Sequence, residues 1–288
     1  MLSYFFEECD VIHYNSPPTL LDHAWPSLVR LMKLPQTYWY LGDAHNYPLR
    51  FASLRANLRF MNGVIVPCDF VYNILQRIGF PRDRTWRIPY GIDLEPYETA
   101  GVRELEGDPV ILHLGPIERY KDLPTLFRAF EHVLGELPDA RLHVIGGGSL
   151  EGKYRSELSD SGFGEKVFWH GVIDHKQLPQ YYKGSDVVVS APTLASNGMG
   201  LVAMEAMACE KPLIINSIPG NREFFEDGSN ALLFQPGNSL ELATKILQIS
   251  RDEELATRIA RGGHEFIQRL DWNNIIPRFE AVWDTMSR

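Results

Sequence analysis

A chain of 288 residues is long enough for two domains of ordinary size. With 44% apolar and 23% charged residues it has the balance of a water-soluble globular protein, and no run approaches the roughly 20 apolar residues a membrane-spanning helix needs. The net charge of −9 lies entirely beyond residue 95: the first 95 residues carry nine basic and nine acidic side chains, leaving 19 and 28 for the remainder. An acidic second part excludes non-specific nucleic-acid binding and offers no polybasic face to anionic lipid, while peripheral membrane contact through the neutral first part stays open.

Three cysteines (Cys9, Cys68, Cys209) stand far apart with no C-x-x-C, which argues for a reducing compartment and against a disulfide framework or a zinc site. The opening Met1–Phe6 runs straight into Glu7 and Glu8 without a basic flank, unlike a signal peptide. A cytoplasmic location is expected.

Taken in order, Asp10–Tyr14 reads as a short strand, Thr19 to about Lys33 as a helix, and Gln36–Leu41 as a strand with Gly42-Asp43-Ala44-His45 as its exit loop. Leu49–Met61 is an amphipathic helix pattern, Gly63–Pro67 a strand, and Val71–Ile78 a helix stopped by Gly79. Trp86–Asp93 closes this first region, and the polar, Glu-rich residues that follow read as a linker. The boundaries expected are 1–95 for the first domain, 96–107 for the linker and 108–288 for the second domain, with the last helix crossing back.

The second domain opens with the apolar strand Pro109–Gly115, then helix Leu123–Leu137 and strand Arg141–Ile145 ending in Gly146-Gly147-Gly148. That triplet is not a dinucleotide fingerprint, because Glu151 occupies the last glycine position; it reads as a sheet-edge turn. Helix 150–159, strand Val167–Gly171 and helix 177–183 follow. Strand Leu232–Phe234 and helices near 239–250, 252–269 and 273–286 complete the chain. Strands alternating with helices over short loops mean parallel sheets covered by helices.

The most informative stretch is Asp186–Glu223. It contains strand Val187–Ala191, the turn Pro192–Gly200, the apolar helix Leu201–Cys209 and the strand Pro212–Asn216. This is a βαβ unit with a helix N-terminus at the carboxyl edge of the sheet, where anions are favoured. The helix carries one charge, Glu205, whose burial demands polar partners. No Asp-x-Asp, P-loop, G-x-S-x-G or H-E-x-x-H occurs anywhere, so neither a metal-bridged diphosphate nor those hydrolytic chemistries is supported.

The segment Asn197-Gly198-Met199-Gly200-Leu201 through Glu205-Ala206-Met207-Ala208 to Pro212-Leu213 resembles the donor-binding signature of the retaining GT-B glycosyltransferases, Glu-Gly-Phe-Gly-Leu-x-x-x-Glu-Ala-Met-Ala-x-Gly-x-Pro-Val. Ile88–Asp93, His170-Gly171, Asp227-Gly228 and Asp271-Trp272 also sit where that family has similar residues. The resemblance implies an α/β, GT-B-like fold of two Rossmann-like lobes with parallel sheets, the N-terminal lobe truncated, and a substrate cleft between them. It implies sugar transfer from a nucleotide-diphosphate donor to an acceptor hydroxyl with retention, without a metal or other cofactor.

By the same resemblance, Glu205 accepts hydrogen bonds from the donor's ribose, and Gly115, Gly198, Met199, Gly200, Leu201 and Thr193 lie about the diphosphate. Gly171 and Val172 rest against the base. Lys121 assists departure of the diphosphate, while Asn197 and His45 stand near the sugar as catalytic candidates. Three departures from the family pattern accompany these matches. Asn197 replaces a sugar-contacting Glu, and Pro116 replaces a phosphate-binding Arg for which Arg119 or Arg222 are the available substitutes. Gly42 replaces a His for which His45 is the nearby stand-in. They raise a second reading, a catalytically impaired subunit that binds a nucleotide sugar, or a partner chain or second copy completing the first lobe.

Overall fold

The computed structural model describes residues 12–14, 36–39, 58, 61–192 and 199–287. The described residues up to Gly91 and from Trp272 onward form one unit, and those between form the other. The helix expected at 19–33 and most of that at 49–61 lie outside the described residues.

Among the described residues, the first unit holds a parallel sheet of four strands in chain order: β1 (Ile12–Tyr14), β2 (Gln36–Trp39), β3 (Gly63–Val66) and β4 (Thr85–Arg87). All four residues of β3 are buried, as expected of an inner parallel strand covered on both faces. Helix α1 (Asp69–Arg77) buries Val71 and Leu75 and leaves its polar face to water. A side chain at Gly63 would collide with Met286 and Trp86, so glycine here permits the C-terminal helix to pack onto the sheet.

The second unit begins where the linker was expected. Residues Glu95–Thr99 form a short helix, α2, with Pro96 in its first turn and Tyr97 buried. Its six strands are β5 (Val110–Leu114), β6 (Arg141–Ile145), β7 (Val167–Gly171), β8 (Val187–Ser190), β9 (Leu213–Asn216) and β10 (Leu232–Phe234). They are parallel and ordered β10-β9-β8-β5-β6-β7. The helices are α3 (Leu123–Glu136), α4 (Glu151–Ser159), α5 (Leu178–Lys183), α6 (Leu201–Ala208), α7 (Ser239–Arg251) and α8 (Glu253–Ile267). Helix α9 (Trp272–Ser287) belongs to the first unit.

One face of the six-stranded sheet packs Ile111, Val144, Val189 and Ile214 against Phe130 of α3 and Leu242 and Ile246 of α7, all buried. A fully buried Phe130 makes this layer costly to damage, on the order of 3–5 kcal/mol for truncation to Ala. Helix α6 is almost wholly apolar because its body is covered: residues 203–208 are all buried, Glu205 among them. The pair Gly262-Gly263 lets α8 approach closely. A Cβ on Gly263 would stand 3.0 Å from Met207 of α6, and one on Gly262 would strike the Ser229 carbonyl.

Candidate active site

The strand order places a topological switch point between β5 and β8. The chain leaves β5 toward β6 on one side, then returns to lay β8 on the other, and ligands of such sheets bind outside the carboxyl ends at this place. The two strands part early. Their ladder runs over Ile111–Val187 and Leu112–Val188, after which the buried His113 ring donates from Nδ1 to the Val189 carbonyl at 3.0 Å. Burial, with Lys121 nearby, pushes the His113 pKa down to about 4, so the ring is neutral. Its Nε2 is buried without a hydrogen-bond partner among the described residues.

On the β5 side, Gly115 takes φ +136, closed to other residues at ordinary cost, and Lys121 folds back over it. A Cβ at Gly115 would lie 3.1 Å from Lys121 Cε and 3.3 Å from Nζ. Lys121 is half-buried, and that desolvation lowers its pKa. Among the described residues no carboxylate forms an ion pair with it. A cation drawn partly out of water beside a glycine turn gains from any anion that arrives.

The loops after β5 and β6 are stitched together. Ile117 N–H donates to the Gly147 carbonyl at 3.0 Å, and Leu150 N–H to the Ile117 carbonyl at 3.2 Å. Side chains at Gly146 or Gly148 would run into the carbonyls of Gly115 and Ile117. The glycine triplet thus serves close backbone approach between neighbouring loops. Glu118 completes the seam, its carboxylate accepting from Ser149 N–H at 2.8 Å and Oγ–H at 2.7 Å. Those donors lower its pKa.

On the β8 side, Met199 is buried and Gly200 is the N-cap of α6, with no side chain among the described residues capping this helix start. Its first-turn N–H groups, beside an exposed Leu201, suit an anion. The Asn216 amide donates to the Pro192 carbonyl at 2.5 Å and is itself held by Asn221, tying the exit of β8 to that of β9. At the end of β7, Gly171 takes φ +66 and Val172 is 83% exposed. The His170 ring points elsewhere: its Nε2 meets His143 Nδ1 at 2.9 Å, and its edge meets Tyr181. His143 Nε2–H in turn donates to the Glu106 carbonyl at 2.8 Å.

Glu205 lies one turn inside α6, with 4% of its surface exposed. Its Oε1 accepts from Tyr97 OH at 3.2 Å and from His175 Nε2 at 2.9 Å, and its Oε2 from Tyr182 OH at 2.6 Å. Burial and this carboxylate raise the pKa of both tyrosines, so both remain donors. The polar company a lone buried carboxylate requires is therefore supplied within the second unit itself. Reading the residues singly missed all three partners. Tyr97 lies in the segment expected to be a linker.

The structure thus brings Gly115, Lys121, Met199, Gly200, Leu201 and Glu205 to the loops and helix at the carboxyl ends of β5 and β8, with Gly171 and Val172 at the end of β7. Asn197, Gly198, Thr193 and His45 lie outside the described residues. Of the two arginines offered in place of Pro116, Arg222 is engaged with Ser217, donating from Nε to its carbonyl at 2.8 Å; Arg119 is exposed.

The family model described as glycosyl transferases group 1 matches residues 98–266. The chain belongs to this family. Among solved structures, Anabaena HepE, in complex with UDP, superposes with a TM-score of 0.83 at 21% identity, over 96% of this chain and 79% of that one. Such a likeness establishes the GT-B fold. Among curated relatives, sulfoquinovosyl transferase of Arabidopsis thaliana is 24% identical over 91% of this chain and 54% of its own length. Alpha-monoglucosyldiacylglycerol synthase of Streptococcus pneumoniae is 24% identical over 98% of this chain and 71% of its own. The chain spans about half the length of several curated relatives it matches.

Against the group 1 signature one further departure emerges. The glycine that follows Ala-x in that signature is here Glu210, at φ +55. It closes α6 with the paired bonds of a left-handed C-terminal cap, Lys211 N–H to Ala206 and Glu210 N–H to Met207. Within the described residues, no helix is long and apolar enough to cross a membrane, and no three His, Cys, Asp or Glu side chains are grouped to hold a metal ion.

Proposed function

We propose that this protein transfers a sugar from a nucleotide-diphosphate donor to an acceptor hydroxyl with retention of anomeric configuration. The observation that carries this reading is a half-buried lysine that has no ion-pair partner among the described residues and faces the same switch point as a helix start that none of them caps. Lys121 on one side and the N–H groups at Gly200–Leu201 on the other are suited to a diphosphate. Both would offset the negative charge that grows on it as the sugar bond breaks, the contribution that usually dominates such catalysis. Glu205 would take the ribose and the main chain at Gly171–Val172 the base, with no resident metal required.

UDP-sugars come first in the test, because the neighbour HepE was crystallised with UDP. The name of the Streptococcus pneumoniae relative makes diacylglycerol lipids sensible first acceptors. A panel of nucleotide sugars should give both binding and turnover, and turnover should persist in EDTA. Replacing Lys121 with Ala should weaken UDP binding at least tenfold, about 1.4 kcal/mol, while uridine, which lacks the diphosphate, binds as before. Equal losses for UDP and uridine would remove Lys121 from the phosphate site. The exposed Pro116 in place of an Arg, and Arg222 committed to Ser217, favour a second reading as a binding subunit. Tight binding without transfer or hydrolysis across the panel would select it.

A further inference from the structure

The ring of donors around Glu205 has an inside and an outside. A carboxylate offers two acceptor positions on each oxygen. Among the described residues, Oε1 has both filled, by Tyr97 and His175, whereas Oε2 has one filled, by Tyr182. Tyr97 and Tyr182 are buried, at 4% and 0% exposure, and cannot leave without opening the core. His175 differs: its side chain is 68% exposed on a three-residue helical turn, so it can swing into water with little loss of packing.

We propose that His175 is a displaceable cap on the Glu205 carboxylate, occupying the acceptor position that one hydroxyl of a ribose 2′,3′-diol must take, and so a determinant of ribonucleotide selectivity. With the cap seated, a ligand can place one hydroxyl on the vacant position of Oε2. Only when His175 leaves Oε1 can the second hydroxyl bind as well. A ribonucleotide therefore binds against the cap, and its apparent affinity is reduced by the fraction of molecules still capped. A 2′-deoxynucleotide, with one sugar hydroxyl fewer, uses Oε2 and is indifferent to the cap.

This rests on the reading of Glu205 as the ribose carboxylate, and the experiment separates the two. Dissociation constants for UDP and 2′-deoxy-UDP, with the GDP and ADP pairs in parallel, are measured by calorimetry on the whole chain and on E205Q, H175A and H175Q. The expected result is loss of UDP binding in E205Q, with H175A binding UDP about 3–10-fold more tightly and 2′-deoxy-UDP nearly unchanged. H175Q, which can still donate to Oε1, should restore most of the wild-type ratio. If E205Q loses UDP while H175A gains nothing or weakens, the His175 assignment is overturned and the ribose reading survives. If E205Q binds as well as the wild type, or no nucleotide of the panel binds, both fall together.

Discussion

The buried Glu205 and its three donors make a stability prediction independent of any ligand. Hydrogen bonds to a charged group contribute about 1.5–3 kcal/mol, and losing a donor to a buried carboxylate falls in that range. Tyr182→Phe should therefore lower unfolding free energy by about 1.5–3 kcal/mol in urea denaturation, with Tyr97→Phe, at the longer distance, costing less. A loss below about 0.5 kcal/mol for Tyr182→Phe would mean that its hydroxyl is not supporting an ionised group. That Glu205 needed partners could be read from one charge in an apolar helix. Which partners could not, because they lie 23, 30 and 108 residues away in the chain and meet only after folding. For the same reason the unpaired Nε2 of His113 left no trace in the sequence.

At the scale of elements, the strands of the second unit were readable to within a residue or two, because inner parallel strands are unbroken apolar runs. Helix α2 was not. Five residues containing Pro96, two glutamates and a threonine show no periodicity, and what holds the helix is tertiary: buried Tyr97, and Lys183 donating to the Glu98 carbonyl at 2.8 Å. The Gly146–Gly148 triplet was legible as a turn, but its cause, the carbonyls of the neighbouring loop, is a tertiary one. The end of α6 offers a test. A residue with a side chain in the left-handed region costs roughly 1–2 kcal/mol, part of which glycine would lose again through its freer unfolded chain. Glu210→Gly should thus raise stability by about 0.5–1 kcal/mol in chemical denaturation. No gain, or a loss, would show that the Glu210 side chain contributes more than the strain it imposes.

Across the molecule, the imbalance between halves has a counterpart in pH dependence. Burial holds His113 and His170 near pKa 4 and lowers His143 as well, whereas unfolded histidines titrate near 6.5. The native state then binds fewer protons than the unfolded state below pH 6.5. Stability is full above that value and is lost as pH falls toward 4. Thermal unfolding should show a midpoint that declines between pH 6.5 and 4.5, with a shallower slope in H113Q. An unchanged slope would remove His113 from the account, and a flat profile would remove all three. His170 contributes less than its shift suggests, since it is only half-buried and water screens it.

Tyr97 has a practical bearing on dissecting the protein. Ile92 pairs with Asp271 and donates from its N–H to the Leu270 carbonyl, so the natural ends of the second unit already lie side by side. A fragment cut at residue 108, where composition alone would place the start, discards Tyr97 and bares part of the Glu205 carboxylate. One spanning 92–271 keeps both. The longer excision should be monomeric and melt cooperatively, and the shorter one should precipitate or melt well below it; equal melting temperatures would make the 92–107 segment dispensable luggage.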